Sequence, residues 1–142
     1  MLRTDSIYFT EMTLRGKKLG AAGEAIAVNF LQNAGYRIVE RNYRIRFGEI
    51  DIIAEQGEDL VFIEVKTRTH NLYGSPFESV TLQKQKQLSK VALEYMNKRD
   101  CHDRPARFDV VAIRMPGTNK AAARDAGIEI MRDAFDLCYD NE

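Results

Sequence analysis

Residues 48–66 read GEIDIIAEQGEDLVFIEVK, and the fold turns on how these residues pair. Two runs rich in β-branched and aromatic residues, Ile50 to Ala54 and Leu60 to Val65, flank the polar segment Gln56-Gly57-Glu58-Asp59. Strand, short glycine-containing polar turn, strand is the pattern of a β-hairpin. A two-residue turn at Gly57-Glu58 pairs Gln56 with Asp59, and a four-residue loop gives the same register. Counting back from that pair puts Asp51 opposite Glu64 and Glu49 opposite Lys66.

Directly opposed residues on one face of a sheet have Cβ atoms about 4.5–5.5 Å apart, and like charges there destabilise the pairing. At ~5 Å and an effective dielectric of ~20, two carboxylates repel by roughly 3 kcal/mol. Apolar strands keep such a pair only with a compensating cation. Lys66 brings one positive charge, and a divalent metal would bring the rest. Oxygen-only ligands suit Mg2+ or Mn2+ rather than zinc. Alternation puts Phe62, Glu64 and Lys66 on one strand face and Ile63 and Val65 on the other. The competing reading is a Glu49–Lys66 cross-strand ion pair, which would make Lys66 structural.

The chain has 142 residues, 44% hydrophobic and 30% charged, which fits one soluble globular domain with a real core. No apolar run approaches the ~20 residues that span a bilayer, so no membrane partner is expected. The N-terminal stretch MLRTDSIYFTEMTLR lacks the apolar core of a signal peptide. Cys101 and Cys138 form neither a metal-spaced cluster nor a disulfide framework, which makes a reduced, cytoplasmic compartment the expectation. Net charge is zero but unevenly spread. Residues 1–48 carry eight Lys/Arg against four Asp/Glu, residues 81–107 seven against three, and residues 49–64 six acids and no base. Two basic segments around one acidic pocket suit a polyanion held over a metal. Ordinary variation over a solvated surface would give the same counts.

Along the chain, residues 1–15 lack periodicity and read as a mobile N-terminal arm, with a single domain over 16–142. Residues 16–34 read as a helix closed by Gly35. Leu19, Ala22, Gly23, Ile26, Phe30 and Ala34 share one arc, Glu24 lies just off it, and Gly20 and Gly23 permit close backbone approach. Residues 36–45 read as a strand, followed by the hairpin and a loop over 67–80. Thr81 is the expected N-cap of a helix running to about Lys98. Its apolar face is Leu82, Leu88, Val91, Ala92, Tyr95 and Met96, and its polar stripe Gln83, Lys86, Gln87 and Lys90. Residues 108–114 read as a buried strand, 116–126 as a surface loop, and 127–131 as a last short strand.

This order of an acid on a helix, Asp51 on a hairpin, Glu64-Val65-Lys66 and a Gln/Lys-bearing helix resembles the core of the PD-(D/E)xK nucleases, in particular archaeal Holliday-junction resolvases. The phrases GEAIAVNFLQNAGY, RNYRIRFGEIDIIA, LVFIEVKTR and RFDVVAI resemble more specifically the uncharacterised bacterial YraN-type family, over roughly residues 16 to 114. The resemblance implies an α/β fold with a restriction-endonuclease-like core, a mixed sheet of four to five strands flanked by helices. It implies that Asp51 and Glu64 are metal ligands, Lys66 the catalytic lysine, and Glu24 the helix-borne acid that completes the site. Ile50, not proline, precedes Asp51, and many members of the superfamily also lack that proline. The implied activity is Mg2+- or Mn2+-dependent hydrolysis of phosphodiester bonds in DNA, of branched or damaged form, by an endonuclease.

Several residues have two readings at this stage. Arg41, Arg44, Arg46, Arg68, Gln83, Lys86 and Lys90 are candidate nucleic-acid contacts, yet edge-strand arginines also guard against aggregation and helical lysines are commonly a solvated face. Tyr73 and Phe77 stack on bases or merely anchor a loop. Asp109 could cap strand-end amides, and His70 and His102 have no spacing that suggests catalysis or zinc. Leu72, Tyr73 and Phe77 are candidate contacts of a homodimer. Three functions remain open: a metal-dependent nuclease with DNA preferred over RNA, a catalytically silent nucleic-acid-binding module, and a structural or assembly protein.

Overall fold

The computed structural model describes residues 20–68, 75–115 and 127–138. A helix over residues 20–33 (α1) is followed by β1 (Arg37–Ile45), β2 (Gly48–Gln56) and β3 (Asp59–Arg68). A 3-10 turn (Pro76–Ser79) leads into α2 (Leu82–Lys98), then β4 (Ala106–Arg114) and β5 (Gly127–Phe135). The five strands form one mixed sheet in the order β1-β2-β3-β4-β5. β3 and β4 run parallel, linked through α2, and every other neighbouring pair is antiparallel. This is the α/β arrangement of a restriction-endonuclease-like core. The expected arm over 1–15 and the loop over 116–126 lie outside the described residues.

The hairpin has the expected register, from Gln56↔Asp59 to Ile52↔Ile63. Gly57 turns it at φ +59, a conformation that glycine adopts without a Cβ penalty. β3 is the middle strand and is buried from Leu60 to Glu64, as a strand covered on both faces must be. On one face Ile53, Phe62, Phe108 and Val110 pack against Leu88, Val91, Ala92, Tyr95 and Met96 of α2. On the other, Ile52, Val61, Ile63, Val111 and Ile113 pack against Ala27 and Leu31 of α1 and against Tyr36. Thr81 caps α2, its Oγ1 accepting the Lys84 N–H at 3.2 Å.

Three details depart from the expected pattern. The buried line of α1 is Gly23–Ala27–Leu31, while Ala22 and Ala34 are exposed. The helix is therefore rotated toward Glu24. Contact sets that rotation: a Cβ on Gly23 would lie 2.0 Å from Thr67 Oγ1, whereas one on Gly20 would meet nothing. Leu82 is 60% exposed rather than part of the apolar face of α2, because it precedes the turn that first touches the sheet. β5 runs four residues further than the apolar pattern suggested. Asp133 takes φ +52 and donates its N–H to Asp109 Oδ1 at 2.9 Å, and Phe135 then stacks on Phe108. Phe77 is half-buried and packs against the α2-side core, where it anchors its loop, one of the two readings open for it. Leu72 and Tyr73 lie outside the described residues.

The Gly23–Thr67 contact is testable. Gly23→Ala gains helix propensity of about 1 kcal/mol, yet overpacking of this kind costs about 1–3 kcal/mol. Urea denaturation should show a net loss of stability that Thr67→Ala recovers in part when the two are combined. An unchanged or raised midpoint in Gly23→Ala would contradict the close approach of α1 to β3.

Candidate metal centre

β2 and β3 stop pairing one step before their acids. Their last ladder pair is Ile52↔Ile63, and the next backbone donor on β3 to face β2, the Val65 N–H, bonds Asp51 Oδ2 at 2.8 Å. Beyond that point β2 stays paired with β1 to Gly48, and β3 with β4 to Arg68. The sheet therefore forks, and Asp51 and Glu64 stand on the two prongs at its base.

The side-chain alternation of β2 slips at the same place. Ile50 and Ile52 are two residues apart yet belong to the cores on opposite faces, whereas a regular strand would put them on one face. On β1, Asn42 lies between the pairs Arg41↔Ile52 and Tyr43↔Ile50 and has φ +53, a left-handed conformation that asparagine tolerates better than most residues. The slip places Asp51 in a seam open to both layers. Glu24 of α1 and Lys84 of α2 both act on the charges gathered there.

Glu64 is 7% exposed. Its Oε1 lies 3.5 Å from Lys66 Nζ and 3.7 Å from Lys84 Nζ. Its Oε2 is buried with no hydrogen-bond partner among the described residues, a state that costs about 1–3 kcal/mol or more for a charged group. Burial, and then the negative charge of Glu64, push the Asp51 carboxyl up to about 7, against the Val65 N–H and Lys84. Burial also raises Glu24, followed by the charge of Asp51, with Asn42 and Arg41 opposing. With its amide nitrogen turned to the acids, Asn42 donates to Glu49 Oε1 at 2.9 Å and to Glu24 Oε1 and Oε2 at 3.2 and 3.1 Å.

These positions sort the expected site residues. Glu24, Asp51, Glu64 and Lys66 do converge. The Glu49–Lys66 pair is not made, because the strands have parted before that rung. Glu49 instead pairs with Arg44 at 2.8 Å, and Lys66 with Glu64. Arg41 approaches Glu24 at 3.9 Å, so Arg41 and Arg44 are engaged with the acids around the fork. Arg46 and Arg68 are exposed. Gln83, Lys86 and Lys90 line an open cleft of about 560 Å³ together with Phe47, Lys84 and Gln87.

Two residues escaped the sequence reading. Lys84 had a signal: it stands one turn before Leu88, on the inward side of α2 that the Thr81 cap fixes. Asn42 had only a faint one, a turn-favouring residue inside an otherwise regular strand. Among the described residues no three His, Cys, Asp or Glu side chains form a ready-made metal cage. The donor set consists of Asp51 and the unpartnered Glu64 Oε2. One or two carboxylates are what Mg2+ commonly takes from a protein, the remainder being water or substrate phosphate.

A sequence model of the uncharacterised protein family UPF0102 matches residues 23–113, a span that contains every converging residue named above. A UPF0102 protein of Geotalea daltonii is 50% identical over 123 residues, covering 87% of this chain and 93% of the relative. Those of Geobacter metallireducens and Moorella thermoacetica are 46% and 44% identical, covering 90% and 87% of this chain and all of each relative.

The raised Asp51 has a consequence for stability. The folded protein holds a proton there that the unfolded chain releases from about 3.8 upward, so stability falls as pH rises from that value through about 7. Asp51→Asn keeps an oxygen for the Val65 N–H and removes the charge. In EDTA it should melt above the parent at pH 8, and the gap should close by pH 5. A variant less stable than the parent at pH 8 would contradict a buried repulsion at the fork.

Proposed function

Since the chain belongs to the uncharacterised protein family UPF0102, a kinship that assigns it no chemistry, we propose from its site that it is a nuclease. It uses Mg2+ or Mn2+ to hydrolyse phosphodiester bonds in DNA, including branched or damaged forms. One observation carries this reading: a half-buried and a buried carboxylate meet at a fork in the sheet, the second with an oxygen left unpartnered, beside two lysines.

In this reading Asp51 and Glu64 would hold the cation, and Glu24, close enough to feel the charge of Asp51, would complete the acidic cluster. Bound there, the metal supplies Lewis acidity toward a phosphoryl oxygen and lowers the pKa of a water. Lys66, whose Nζ lies 3.5 Å from Glu64 Oε1, would offset charge that develops on the phosphate in the transition state. Lys84 does the same from the cleft side. Asn42 keeps Glu24 and Glu49 in place, while Lys86 and Lys90 carry the strand in along α2 as phosphate contacts, which position DNA without reading its sequence.

The test is a panel of labelled duplex, single-stranded, flapped and four-way DNA, with Mn2+ or with EDTA. Metal-dependent product is expected from at least one substrate, falling by about a hundredfold or more in Asp51→Asn and in Lys66→Ala. No metal-dependent product from any substrate, or product unchanged in both variants, would overturn hydrolysis. Salt-sensitive retention of DNA that survives Asp51→Asn, without cleavage, would identify a silent binding module instead.

A further inference from the structure

The β1–β2 turn carries Phe47 on the rim of the cleft, and this residue is 54% exposed. Of the large hydrophobic side chains exposed among the described residues, the others being Val39, Leu82 and Met131, it is the aromatic one. The backbone beneath it is fixed. Gln87 Nε2 donates to the Phe47 carbonyl at 2.8 Å. At Gly48 an added Cβ would lie 2.8 Å from that same nitrogen, so glycine lets the turn lie flat on α2. The exposed ring therefore stands on an anchored backbone.

The surroundings select its partner. Lys84, Lys86 and Lys90 line the same cleft, which favours a polyanion over an apolar peptide. Lys84 also stands 3.7 Å from Glu64 Oε1, so one lysine links the wall of the cleft to the acids. A nucleotide strand offers both phosphates for the lysines and a π-face for the ring. In an intact duplex that face is covered by its neighbours, and only base edges are reachable from the grooves. Stacking on Phe47 therefore requires an unpaired base.

We propose that Phe47 is a stacking site for an unpaired DNA base, and that the favoured substrate carries single-stranded nucleotides next to the cleaved bond. This rests on the nuclease reading above but is separable from it. Because the chain contains no tryptophan, Phe47→Trp installs a single reporter on the exposed turn.

In EDTA, which separates binding from cleavage, the emission of Phe47→Trp should be quenched by a single-stranded oligonucleotide and little affected by a blunt duplex of equal length. Phe47→Ala should bind the single strand about tenfold more weakly than the parent, with duplex binding nearly unchanged. Equal quenching by duplex overturns the proposal. So does salt-sensitive single-strand binding without quenching, with Phe47→Ala at parental affinity. Mn2+-dependent cleavage by the parent is scored separately. Quenching without cleavage supports the stacking site and removes the nuclease. Cleavage without quenching removes the stacking site alone, and loss of binding as well as cleavage removes both.

Discussion

The hydrogen bond from the Val65 N–H to Asp51 Oδ2 is the constraint on which the rest depends. A β-strand that leaves its neighbour exposes a row of backbone donors, and a partly buried donor without an acceptor is costly. Here the first donor past the break is taken by a carboxylate rather than by backbone. That single substitution ends the β2–β3 ladder without orphaning Val65, opens the fork, and fixes Asp51 where Glu64 emerges. The same bond stabilises the ionised form of Asp51, while burial and Glu64 favour the protonated one. The site thus stores an electrostatic tension that a divalent cation would relieve.

Two buried acids in the one sheet make the contrast plain. Asp109 is fully buried, and both of its oxygens are engaged. Tyr36 Oη donates to Oδ2 at 2.8 Å, the Asp133 N–H to Oδ1 at 2.9 Å, and Arg107 Nε to Oδ1 at 3.1 Å. Arg107 goes on to Asp59 at 2.6 Å and to Gln56. This network ties the closed end of the hairpin to β4, to β5 and to Tyr36 just before β1, and it is saturated. Buried polar groups are normally satisfied in this way. Glu64, on the neighbouring strand, keeps an unpartnered oxygen. One end of the sheet is built to hold itself together, and the other leaves an acid oxygen without a hydrogen-bond partner.

Much of this was legible in the sequence because the governing signals are local. The turn at Gly57-Glu58 set the register of β2 and β3, and with it the meeting of Asp51 and Glu64. The cap at Thr81 set the phase of α2, and Gly35 ended α1 at φ +92. What stayed hidden depends on contacts distant in sequence. The rotation of α1 comes from Gly23 meeting Thr67, the full length of β5 from Asp109 accepting the Asp133 N–H, and the partners of Glu49 and Lys66 from a ladder that ends one rung early. Periodicity assumes a regular strand, so it could not show Asn42 and Asp51 slipping together. The irregularity is the feature that makes the site.

The claim that the two acids share an ion is most directly tested by anomalous diffraction from a crystal soaked in Mn2+. A peak is expected between Asp51 and Glu64 Oε2, about 2.1 Å from an oxygen of each, with Lys66 drawn off Glu64. Full occupancy elsewhere with none at the fork, or a peak bound by only one of the two carboxylates, would contradict it.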